Sequence, residues 1–184
     1  MKKRDIFYTL AIFIMSVTFS CNKQIPKAKE THFVPTDDTV YEQAQKAIYS
    51  DALFARRILE EAMRTRPVQD SVDWYILYNL YIKSFLTTSE FDTILPLSRK
   101  VEQFCARQKQ LSPVHYYLLA DMNNNIGNRY AITGMNDPAL KYFKQMLVYG
   151  QKTHNNDVLL TGYTNLADVH IRSGRYDLGA WYYR

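Results

Sequence analysis

Glycine and proline are scarce in this chain, six of each in 184 residues, and no run of alternating β-branched residues is present. Those absences argue against strands, and the Leu-, Ala-, Tyr- and Lys-rich stretches that remain favour an all-α fold. Cysteine is scarcer still. Cys21 lies at the end of an apolar leader, so if it is modified only Cys105 remains as a thiol, an internal disulfide is excluded and the fold must stand on packing. Cys105 falls in a helical stretch with Val101 and Phe104, which suits a small buried hydrophobe. The four histidines, His32, His115, His154 and His170, form no pair at helical ligand spacing and have no Glu or Cys partner at metal spacing. A Gly-rich phosphate loop, a G-x-S-x-G turn and a nucleophile with a local base are all missing. The expectation is a non-enzymatic chain with no metal and no cofactor.

Charge is also weak as a signal. The formal net charge is +5, and setting aside Lys2, Lys3, Arg4 and Asp5 leaves 20 basic against 17 acidic residues. That excess is no argument for a nucleic-acid partner. What is plentiful is apolar and aromatic surface, 47% and 14% of residues, enough for a sizeable core.

The chain opens with Lys2-Lys3-Arg4, an apolar run from Ile6 to Phe19, and Ser20-Cys21-Asn22. A basic end, a short apolar stretch and a small residue at a cleavage point read as an export signal over residues 1–20. As a helix that run would rise only about 21 Å, short of the roughly 30 Å hydrocarbon layer. Ser20 before Cys21 resembles the lipobox of bacterial lipoproteins, although Thr18 stands where an aliphatic residue is usual, with Val17 one place further out. The resemblance implies acylation of the Cys21 thiol and a lipid anchor on a cell-envelope membrane; a plain cleaved or uncleaved signal and a buried core helix are the alternatives. In each export reading the residues after Cys21 face the periplasm or the outside. Residues 21–36, with Lys23, Lys27, Lys29 and two prolines, read as a flexible tether.

Residues 37–184 are organised by a pattern written twice. The first copy runs Asn123, Ile126, Gly127, Tyr130, Gly134, Ala139, Phe143, and the second Tyr163, Leu166, Ala167, His170, Gly174, Gly179, Tyr183, with every pair 40 residues apart. A small residue beside an aliphatic, a bulky ring three places on, a Gly turn, then a small residue and a ring four later describe two helices folded face to face. The pattern resembles the tetratricopeptide repeat, W-x2-L-G-x2-Y followed by A-x3-F. The resemblance implies an α-solenoid of antiparallel helix pairs whose first helices line a concave, partner-binding face.

Earlier copies are looser. Ala55, Leu59 and Pro67 match the second half of the repeat behind a polar first helix, as an end cap requires, with Ser50 as the expected cap of the second helix. Tyr78, Tyr81, Ile82 and Phe85 stand in the signature positions of the next pair, where Ile82 should hold the helices apart and Pro96 should kink the returning helix or delay its start. Ser112-Pro113 announces the third pair and Asp137-Pro138 repeats the device. Arg184 falls inside the returning helix of a fourth pair, which is expected to make this an N-terminal fragment of a longer protein or a short chain that dimerises through its open end.

With the signature residues taken as buried, the side chains one turn round face the groove: Asn79, Lys83, Asn124, Asn128, Thr164, Asp168 and Arg172. An amide-rich groove suits hydrogen bonding to an extended peptide; a solvated face without a ligand is the alternative. Asn128 with Asn165 resembles part of a carboxylate clamp, but Asn124 stands where its first Lys belongs. His170 should pack against Gly174 and Tyr176, and Arg56, Arg57, Arg64 and Arg66 should form a soluble face, or a contact for anionic lipid. The expected function is a protein- or peptide-binding scaffold, or else the extracytoplasmic input region of a signalling or transcription-regulating protein.

Overall fold

The computed structural model describes residues 38–66 and 71–184; the expected signal, Cys21 and the tether lie outside the described residues. Among the described residues the fold is all-α, with eight helices and no strand: α1 Asp38–Ala47, α2 Ala52–Thr65, α3 Val72–Thr87, α4 Phe91–Ala106, α5 Pro113–Ile132, α6 Asn136–Gly150, α7 Asn156–Arg172 and α8 Tyr176–Tyr182. No described helix is long and apolar enough to cross a membrane.

Each helix packs on the next, and α1, α3, α5 and α7 also pack in series, whereas α2, α4, α6 and α8 make no Cα approach within 8 Å to one another. A stack closed along one set of helices and splayed along the other is curved, with the odd-numbered helices inside. Successive helices run in opposite senses. Tyr130 stacks on Tyr142 at 5.6 Å near the α5–α6 turn, while Tyr116, at the far end of α5, stacks on Tyr149 at 6.3 Å.

The turns explain why. The N–H groups of Glu90, Met135 and Arg175 donate to the carbonyls of Phe85, Tyr130 and His170 at 2.9, 2.8 and 2.9 Å. The residue before each donor has positive φ: Ser89 at 61°, Gly134 at 76° and Gly174 at 74°. This six-to-one bond with a left-handed residue ends a helix and turns the chain back. The α3–α4 copy, loosest in its side chains, keeps the same backbone turn with Ser in the glycine position.

Caps differ from expectation in detail. Asp51, not Ser50, caps α2, its carboxylate accepting from Phe54 N at 2.9 Å. Ser112 caps α5 in a box closed by His115, whose Nδ1 accepts from Ser112 N at 3.2 Å. Helix α6 begins at Asn136, so Pro138 falls within its first turn and Asp137 is not the cap. Pro96 neither delays nor interrupts α4, which is continuous from Phe91. A proline six residues into a helix displaces only the N–H that would bond one of the first carbonyls, so its cost is small there.

One core runs from Ala44 through Ile126 and a second from Ala120 through Val169, joined by Tyr130 and Tyr149, which pack on both. Helix α3 is covered on nearly every side, with ten of its 16 residues buried, because α1, α2, α4 and α5 all pack on it.

Candidate functional site

On the inner side, α1, α3 and α5 line a half-open cavity of about 370 Å³, bounded at its far end by Met146 of α6 and by Asn155, Asp157, Val158 and Thr161 at the start of α7. Ile76 and Leu80 of α3 form an apolar wall; Tyr41 and Gln45 of α1, Lys83 of α3, and Tyr117, Asp121 and Asn124 of α5 supply polar groups. Tyr117, Asp121, Asn124 and Asn128 form one stripe of α5 at helical spacing.

The electrostatics are those of a partly desolvated charge cluster. Burial pushes the Asp121 carboxyl up, and the positive charge of Lys83 draws it part of the way back. Burial opposes the charge on Lys83, but the Tyr49 hydroxyl and the Asp121 carboxylate outweigh it and leave its pKa raised. The Lys83 Nζ lies 5.1 Å from the Tyr49 ring centroid. Burial raises the pKa of Tyr41 and Tyr117, with the Asp121 charge adding to both, and the two hydroxyls hydrogen-bond to each other.

A second cavity of about 330 Å³ lies further along the inner side between α5 and α7, lined by Asn128, Asn165, Asp168 and Arg172 with Phe143 at its floor. Asn124 connects the two. Its Oδ1 accepts from Asn128 Nδ2 at 3.0 Å and from Asn165 Nδ2 at 2.7 Å.

The groove residues read from sequence therefore divide. Lys83 and Asn124 meet in the first cavity, and Asn128, Asp168 and Arg172 in the second. Thr164 is half-buried on α7 and lines neither. Asn79 is a correction: it is 0% exposed, its Nδ2 donates to Leu118 O at 3.0 Å, and Asn125 Nδ2 donates to Asn79 O at 3.1 Å. It ties α3 to α5 in the core, on a side of α3 that α5 covers. Tyr41, Tyr117 and Asp121 were missed, while Asn165, read from sequence only as part of a clamp with Asn128, lines the second cavity. The α5 stripe that contains Asn124 and Asn128 carries on toward the N-terminus through Asp121 and Tyr117, and following it two more turns finds both.

Among the signature residues, Ile126, Gly127, Ala139, Phe143, Leu166, Ala167 and Gly179 are buried, Tyr130 is half-buried and Gly174 is in its turn. Tyr183 is a correction: α8 ends at Tyr182, and Tyr183 is 54% exposed with its hydroxyl donating to Asp168 Oδ1 at 2.6 Å. Tyr182 takes the packing role and stacks on His170 at 5.4 Å, whereas Tyr176, expected against His170, is exposed.

The arginines do not form a uniform surface. Arg56 reaches from α2 to the α3–α4 turn, donating to Ser84 Oγ at 3.1 Å and to Thr88 Oγ1 and Glu90 Oε1 at 2.8 Å, with its guanidinium 3.8 Å from the Phe85 ring centroid. Arg64 pairs locally with Glu61 at 2.7 Å. The described residues contain no group of three His, Cys, Asp or Glu side chains able to hold a metal. Comparison with protein-family models, curated proteins and solved structures finds no match to this chain.

Proposed function

We propose that residues 37–184 form a tetratricopeptide-like α-solenoid that binds a protein or peptide segment along the inner side of α5 and α7. The role is that of a non-enzymatic scaffold, exported across the inner membrane and anchored by a lipid on Cys21. The observation that carries this reading is the amide network centred on Asn124. No described residue donates to the carbonyl oxygens of Asn128 and Asn165, and both residues line a cavity with Asp168 and Arg172 on its walls. Fixed amides beside an apolar floor suit an extended backbone, which needs acceptors for its N–H groups and a place for alternate side chains. The 40-residue offset and the shared turn geometry support the repeat reading, and the leader supports export.

The test is selection from a random peptide library on the purified full chain, against Asn128→Ala and Asn165→Ala variants of unchanged helicity. A peptide class enriched on the parent and lost on both variants is the expected result. Equal enrichment on all three, or none, rejects the amide groove. Palmitate labelling lost in Cys21→Ala tests the anchor.

The charged cavity favours a second reading, the input region of a signalling or transcription-regulating protein whose output domain lies outside this chain. An apolar run of about 20 residues encoded beyond codon 184 distinguishes it from a stand-alone scaffold.

A further inference from the structure

We infer that the cavity between α1, α3 and α5 is a binding site for a small zwitterion, a free α-amino acid, with Lys83 taking its carboxylate and Asp121 its ammonium. The inference goes beyond the peptide groove, since it concerns the other cavity and a ligand of a different class.

Lys83 and Asp121 stand on adjacent helices and line the same space, yet no ion pair within 4.0 Å joins them. Two opposite charges in a partly desolvated space ordinarily collapse together to recover what burial costs them. Here the Lys83 ammonium lies 5.1 Å from the Tyr49 ring centroid and hydrogen-bonds to the Tyr49 hydroxyl, and no described residue donates a hydrogen bond to the Asp121 carboxylate. Asp121 is left open to the cavity, and the Lys83 ammonium, with one of its three donors taken by Tyr49, keeps two for a ligand. A lone cation would satisfy Asp121 and meet Lys83 as a like charge, and a lone anion would do the reverse. A molecule carrying both charges a few bonds apart satisfies each end.

The neutral groups agree. Tyr41 and Tyr117 line the cavity as a hydrogen-bonded pair of hydroxyls, a polar edge suited to a ligand carboxylate. Ile76 and Leu80 offer apolar contact for a side chain, and about 370 Å³ falls in the range of small-molecule sites.

The experiment is calorimetric titration of the full chain with the common L-α-amino acids one at a time, then with the N-acetyl and carboxamide forms of the best binder. At least one free amino acid is expected to bind, with each capped form weaker by about tenfold or more. Lys83→Met should reproduce the loss caused by amidation without adding to it, and Asp121→Asn should do the same for acetylation. The inference is overturned if no free amino acid binds, if the capped forms bind equally well, or if variant and capping losses simply add. Should either variant fail to fold, the capped ligands on the parent chain still decide. Peptide selection on Asn128 and Asn165 reads the other cavity, so either proposal can fail while the other stands.

Discussion

The Phe143 ring occupies the space that a side chain on residue 127 would need: a Cβ added to Gly127 would lie 2.5 Å from Phe143 Cε1. Phe143 is 1% exposed and cannot swing aside into solvent. Gly127→Ala should therefore lower stability by about 1–3 kcal/mol despite the helix propensity gained. Chemical denaturation would show it, and an unchanged midpoint would mean that α6 shifts freely on α5. Gly162 offers a contrast, because its nearest neighbour is the flexible end of Leu147 at 2.6 Å, and Gly162→Ala should cost less.

Ser89 and Gly134 make the same turn with opposite chemistry. Ser89 holds φ at 61° with a side chain attached, so Ser89→Gly should raise stability by about 1 kcal/mol. A Cβ on Gly134 would meet nothing within 4 Å, so Gly134→Ala should lose a similar amount through backbone strain alone. Opposite shifts in melting temperature are the expected outcome; shifts of one sign would break the equivalence of the turns.

Arg56 and Arg57 are neighbours in sequence with different roles. Arg56→Lys should destabilise by about 1–3 kcal/mol, since an ammonium cannot serve Ser84, Thr88 and Glu90 together while stacking on Phe85. Arg57 is exposed, and Arg57→Ala should stay within about 0.5 kcal/mol of the parent by urea unfolding.

His170 should make stability depend on pH. Burial first, then the charges of Arg175 and Lys144, hold its pKa below the ordinary 6.5, and its Nδ1 has no partner. The folded state thus favours the neutral ring. This contribution is complete above the unfolded value and is lost as pH falls through it toward the folded value. His115, also lowered by burial, acts with the same sign. His170→Phe, which keeps a ring against Tyr182, should flatten the fall in melting temperature below pH 6.5 without abolishing it. An unaltered slope would place the titration elsewhere.

The degenerate α3–α4 pair shows what pattern matching misses. Ile82 and Ser98 stand 45 residues before Gly127 and Phe143, and both are buried. A large residue where the small one belongs is matched by a small residue where the ring belongs, so the volume exchanged between the two helices is conserved. Scored residue by residue, each looks like a departure; taken as a pair, they preserve the hairpin.

The helices, the turns at Gly134 and Gly174 and the burial of Gly127, Ala139 and Phe143 follow from the sequence alone, because caps, left-handed turn residues and helical spacing act between residues a few places apart. The burial of Asn79, the reach of Arg56 to Phe85 and the meeting of Lys83 with Tyr41 and Asp121 required the tertiary structure. Which face of α3 or α5 sees water depends on helices that lie far away in the chain, and a helical wheel carries no information about what covers it.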